Sequence, residues 1–306
     1  MKKTLRLLMS VVLMLGVNLF ANEAQNVQIF SADNSKGLMS AKSVEEAFNA
    51  NGLFVDVNND MNSIFSKRYG KVYHKNYNLA IFTNKKFVSK LMKKYPTIGL
   101  ITPLSMSIYE DAKNKTINIT TLSLAGMSKV TNIPTTNEDL VAYAKLVDVA
   151  LHKALTNGAY LKVTHNLKSA KFLTTEFKTE FELEDGDSYE DVKDGFKEEF
   201  EGELGSVGFL IPKAYKFEHA DYDFFDTYSM IRFNAIYPVY QKHPDAGAYA
   251  PFSLVIYKKK DDNTVHIAFP SIDNWIANLD IADEATVKAV KDTQNKIKTI
   301  LAELTE

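Results

Sequence analysis

Apolar residues fall into two rhythms along this chain, and the switches between them mark out its elements. Phe87, Val88, Leu91 and Met92 share one face at three- and four-residue spacing, which predicts a helix over 85–94 that Pro96 stops. Leu140, Ala144, Val147, Leu151 and Ala154 do the same over a longer stretch, closed by Asn157 and Gly158. Short β-rich runs at 53–57 and 79–82 predict strands, and 105–109 with 116–121 predict a hairpin across the polar turn 111–115. Ser43-Val-Glu-Glu46 reads as a capping box opening a helix that Asn51-Gly52 ends, and 59–69 reads as a short helix closed by Gly70.

The same layout returns at an offset of 148 residues. Pro96, Gly99, Pro103, Ser105, Ile108, Tyr109, Thr116, Ile119 and Ser123 face Pro244, Gly247, Pro251, Ser253, Ile256, Tyr257, Thr264, Ile267 and Ser271 without a gap. Upstream, a capping box from Ser188 to Asp191 opens the second copy's early helix, which finishes near Gly205, and 207–211 reads as the strand after it. Val287, Val290, Ile297, Ile300 and Leu301 continue the periodicity as a closing helix, now at an offset of 146. Ser123 and Ser271 read as the ends of hairpin strands. Each unit is thus strand, helix, strands, helix, hairpin, helix. The expected fold is α+β: two tandem copies of an antiparallel sheet covered by helices, pseudo-dimeric. The expected boundaries are a signal peptide at 1–21, a first domain at 22–158 and a second at 159–306.

Within copy one, Asn84, Leu91-Met92, Pro96, Gly99, Pro103-Leu104 and Tyr109-Glu110-Asp111 follow one another in an order that resembles the domain of unknown function 302 family. Copy two keeps Pro244, Gly247, Pro251 and Tyr257, but places Asn234 ten residues before its Pro rather than twelve, and has Lys258 where the acid stands. Lys85 also occupies a position where the family usually has Pro. The resemblance implies a fold similar to the TATA-binding-protein-like class, whose single-domain members look like dimers, so that a tandem chain builds the pair covalently. It implies no activity. Some members look to carry Cys where this chain has Leu104 and Phe252, so thiol chemistry is not carried over.

The N-terminus bears on compartment. Lys2, Lys3 and Arg6 introduce the acid-free, apolar stretch 5–19, and Ala21 offers a small residue before Asn22, which is the pattern of a secretory signal. The stretch is short against the roughly 20 residues that a membrane span needs. The expectation is a periplasmic or secreted protein, with membrane contact limited to the signal segment and an uncleaved anchor as the alternative. Cleavage would move the formal net charge from −2 to about −5, a balance without attraction for nucleic acid. The absence of Cys removes disulfides and thiolate metal sites, and 19 Phe with 15 Tyr supply a core in their place.

Chemistry-bearing residues form few patterns. Six His lie scattered at 74, 152, 165, 219, 243 and 266 without a Gly-x-Ser-x-Gly turn, so no catalytic residue is named. His219, Asp221, Asp223 and Asp226 are the densest group of metal-type ligands, though an acidic loop has the same composition. The run 56–60 fails as a calcium loop because Met61 stands where Gly is required and Lys67 where the final Glu belongs. No metal or cofactor is expected. The candidate ligand-binding residues are Asn84, Tyr109, Asn234 and Tyr257, with N-capping as the competing role of the two Asn. Nine Lys or Arg and no acid occupy 65–95, whereas 13 acids and three Lys occupy 176–203. Either these are solvated faces or the basic face of copy one meets the acidic face of copy two or of a neighbouring molecule. The function expected is a binding or interaction protein with a Tyr- and Phe-lined apolar cleft in or between the copies, taking a small apolar or aromatic ligand. The alternatives are an enzyme of unrecognised chemistry with carboxylate and His groups in an inter-repeat cleft, and an envelope-structural role without ligand.

Overall fold

A computed structural model of the chain describes residues 25–163 and 174–305; the expected signal segment lies outside them. Copy one runs β1 (Val27–Asp33), α1 (Ala41–Ala50), β2 (Phe54–Asp60), α2 (Met61–Tyr69), β3 (Tyr77–Thr83), α3 (Lys85–Met92), β4 (Leu104–Asp111), β5 (Thr116–Leu122), α4 (Leu124–Thr131), α5 (Glu138–Ala154) and β6 (Ala159–Tyr160). Copy two runs β7 (Thr174–Glu180), α6 (Tyr189–Ser206), β8 (Leu210–Lys216), β9 (Tyr222–Ile231), α7 (Phe233–Tyr240), β10 (Phe252–Lys259), β11 (Thr264–Pro270), α8 (Asp273–Asn278) and α9 (Glu284–Thr305). Short 3-10 turns, Pro96–Ile101 and Pro244–Ala248, precede β4 and β10.

Short polar side chains decide where most helices begin. Asp60, Asn84, Asn137 and Ser188 each accept a backbone N–H of the first turn of α2, α3, α5 and α6. The box that opens α1 is formed by Ser40 and Ser43, each hydroxyl accepting the other's backbone N–H, so the helix starts earlier than Ser43 suggests. β2 extends to Asp60, which moves the start of α2 from 59 to Met61. Gly208 at φ 86° ends the turn after α6, so the strand expected at 207–211 becomes Leu210–Lys216. Ser123 caps α4 instead of merely ending a strand, and its hydroxyl donates to the Gln25 carbonyl.

The two antiparallel sheets have one topology. The first is ordered β2-β3-β4-β5-β1-β6 and the second β8-β9-β10-β11-β7; β6, just past residue 158, is the addition. The 148-residue offset holds from α3 and α7 through both hairpins, and the Thr102–Pro103 and Ala250–Pro251 bonds are cis in both copies. It fails upstream, where the loop 217–221 replaces α2 between β8 and β9.

β4 and β10 are buried on both faces over most of their length, unlike a sheet strand with one wet side. Helices cover one face. The 3-10 turn of the opposite copy covers the other, and a single continuous hydrophobic core results.

Candidate functional site

The seam between the copies is built from small residues. Ser105 and Ser107 of β4 alternate with Leu104, Met106 and Ile108, so the small polar pair shares the face turned away from the larger side chains. The turn Pro244–Ala248 sits against it: a Cβ on Gly247 would lie 2.3 Å from the Ser107 Cβ. Gly99 meets Val255 of β10 in the same way, at 2.5 Å. Hydroxyls close the contact reciprocally. Ser253 donates to the Pro103 carbonyl at 2.6 Å, Ser105 to that of Pro251, and Ser107 to that of Pro244 at 2.7 Å. Further out, the His74 ring Nε2 lies 2.7 Å from the Tyr240 carbonyl, while Tyr222 donates at 2.5 Å to the Met92 carbonyl. His74 and Tyr222 are 148 residues apart, as are Met92 and Tyr240. The seam therefore carries an approximate two-fold axis.

Ionisable groups gather on one side of it. Asp245, buried in its turn, raises the Tyr77, Tyr109 and Tyr249 phenols, already pushed well above their ordinary value by burial. Beside them α2 and α7 interlock through aromatic rings. Phe65 packs 4.5 Å from Tyr240 and 5.2 Å from Tyr237, and Tyr69 stacks on Tyr237 at 3.8 Å.

A groove of about 500 Å³ opens where β2 and α2 face β8 and α7. Its floor is Met61, Leu79, Ile231 and Pro251, all buried. Val57, Ile64, Leu210, Ile211, Pro212 and Phe233 form the walls. Asn59, Lys67 and Arg68 are its polar positions, and all three are exposed. The cross-strand registers explain why the groove lies on one side of the axis. Asn59 pairs with Leu79 and Tyr215 with Thr227, and Leu79 and Thr227 stand 148 apart, so Tyr215 is the counterpart of Asn59. By the same reasoning Lys213 answers Val57. Tyr215 donates to Asp56 at 2.7 Å and Lys213 lies 3.7 Å from it, bridging β8 to β2 on that side. On the other side Asn59 is too short to bridge, and the space stays open.

The four residues singled out from sequence take separate partners. Asn84 caps α3 and donates to the Gly52 carbonyl at 2.8 Å. Its counterpart is Arg232, which donates to the Val207 carbonyl at 3.1 Å, whereas Asn234 lies inside α7 and accepts from the Tyr69 hydroxyl at 2.7 Å. Tyr109 is buried beside His74 and Tyr77, and Tyr257 stacks on His266 at 4.8 Å. None of the four lines the groove. The positions that do line it were not found from sequence, because 59–69 reads as one helix and Asn59 actually belongs to β2.

Two further groups marked by the sequence take partners of their own. Asp223 and Asp226, on opposite faces of β9, pair with Lys258 and Lys197 respectively, and among the described residues no three His, Asp or Glu side chains are placed to hold a metal. The basic stretch does reach copy two, but through aromatic and neutral groups: Arg68 lies 4.8 Å from the Phe233 ring centroid and Tyr237 donates to the Lys71 carbonyl at 3.1 Å. The acidic α6 instead packs on α9 of its own copy.

A tandem α+β protein, two like sheets docked face to turn across an approximate two-fold axis, is the class that this architecture defines. The chain belongs to the family described as "Domain of unknown function DUF302", whose pattern matches residues 39–157 and again 181–304. A solved structure titled "Crystal structure of uncharacterized conserved protein DUF302 from Bacillus stearothermophilus" is similar at 16% identity and a TM-score of 0.36, over 41% of this chain and 97% of that one. No curated protein matches the chain.

Proposed function

We propose that this is an exported, periplasmic or secreted binding protein that holds a small apolar molecule in the groove between its copies. The observation that carries the reading is the groove itself: about 500 Å³, with apolar floor and walls and few polar positions. That is the size and lining typical of small-molecule sites. The chain's basic start and apolar 5–19 stretch support export, and its charge balance gives nucleic acid no purchase. Catalysis is less well supported. Asp245, Tyr77, Tyr109 and Tyr249 are the convergent ionisable groups of the seam, and each is at most 8% exposed; a substrate would have to part the copies to reach them.

Two measurements on protein recovered from the envelope fraction test this. N-terminal sequencing should begin near Asn22, and native mass spectrometry should find one small molecule retained per chain. A chain beginning at Met1 in the membrane pellet would overturn export. Mass spectra without a retained molecule, together with no uptake of apolar probes, would overturn binding.

A further inference from the structure

We infer that the groove's ligand is a single-tailed amphiphilic anion, a long-chain carboxylate whose head pairs with Lys67 and Arg68. This rests on the binding reading above and specifies its chemistry. The side chains of floor and walls are apolar apart from Asn59, Lys67 and Arg68, so the part of the ligand that lies against them is best matched by a chain free of polar atoms. Its polar positions are Asn59 and two cations on the last turn of α2. Among the described residues neither cation is paired with a carboxylate, a state they share with Lys85, Lys86, Lys93 and Lys94 of the same basic stretch; their place on the groove sets these two apart. Arg68 is instead held over the Phe233 ring at 4.8 Å, which fixes its guanidinium at the groove's edge with its donors unspent on any acid. An apolar cavity with two unmatched positive charges at its mouth is complementary to a tail with one negative end.

The pseudo-symmetry limits the number of such sites. On the far side of the axis Tyr215 and Lys213 occupy the corresponding positions and engage Asp56. There the cation is already matched and the space bridged. One ligand per chain follows.

The competing role for Lys67 and Arg68 is to serve the C-terminal end of α2, where positive charge is favourable. Titrating the full chain with palmitate and with the uncharged alcohol of the same length separates the two. The expected result is one saturable site, with palmitate bound about tenfold more tightly than the alcohol, as two partly exposed charge pairs would give. The Lys67→Gln/Arg68→Gln double variant should bind both equally while keeping wild-type affinity for the alcohol. If both probes bind the wild type equally, or the double variant still prefers palmitate, the anion inference is overturned and the apolar groove stands. If neither probe binds, the groove reading itself falls with it. A double variant that loses affinity for both probes and melts earlier would assign the cations to the helix and overturn the inference.

Discussion

At the residue scale the seam depends on atoms that are missing. Gly99 and Gly247 are needed because the opposite strand lies where a Cβ would be, not for any special backbone angle. The two differ in what blocks them. At Gly247 the obstacle includes the Ser107 backbone nitrogen at 2.7 Å, whereas at Gly99 the nearest atoms belong to the Val255 side chain. Gly247→Ala and Gly99→Ala should therefore each cost about 1–3 kcal/mol, read by urea denaturation. Equal and negligible losses would mean that the turns do not press on the strands as described. Tyr77 and Tyr109 carry a second expectation. Their phenols sit above the ordinary value near 10 because burial and Asp245 disfavour the phenolate. The sign follows from linkage: the stability associated with them is whole below about pH 10 and is lost as pH rises through the raised values. Phenolate absorbance should accordingly show part of the 15 Tyr resisting ionisation until the chain unfolds in alkali. Reversible titration of all of them near pH 10 in the folded protein would contradict this.

At the element scale, α2 is what makes one side of the molecule unlike the other. It supplies part of the groove's floor through Met61, part of a wall through Ile64 and the aromatic lock through Phe65 and Tyr69, and copy two has the loop 217–221 in its place. Phe65, fully buried and packed on Phe233, Tyr237 and Tyr240, should cost about 3–5 kcal/mol on truncation to Ala. Thermal melts of Phe65→Ala would check it; a loss under 1 kcal/mol would mean that α2 is not bound to copy two. Sequence alone made much of this level readable. Hairpins, closing helices and the 148-residue repeat were legible because caps, β-rich runs and three-to-four periodicity are local signals. The α1 start was misread because Ser40 and Ser43 build their box without the usual Glu. The counterpart of Asn84 is not readable from sequence because Arg232 makes the same tie, to the end of its copy's first helix, with a different side chain. The groove stayed hidden because it depends on the registers of β2 and β8, both interrupted by bulges, and register across 156 residues leaves no mark in a local pattern.

At the scale of the whole molecule, the two copies meet at a seam that is symmetric at its centre and asymmetric at its edge. The reciprocal contacts of Ser105, Ser253, His74 and Tyr222 keep the two-fold axis, so both copies dock through equivalent contacts. The edge strands differ as well: β8 carries Tyr215 and Lys213, which bridge to Asp56, while β2 carries the short Asn59. One pseudo-equivalent position is filled and the other open, and the open one is the groove. Asn59 is exposed on an edge strand, so replacing it by Tyr places a ring of the size of Tyr215 in the open space without disturbing the core. The decisive measurement is the titration of an uncharged solvatochromic dye into wild type and Asn59→Tyr, with a thermal melt of each. The account predicts one saturable site in the wild type and an affinity loss of at least about tenfold in the variant, the factor that ~1.4 kcal/mol of lost apolar contact produces, with unchanged melting. Equal affinity in the two proteins at equal stability would contradict it.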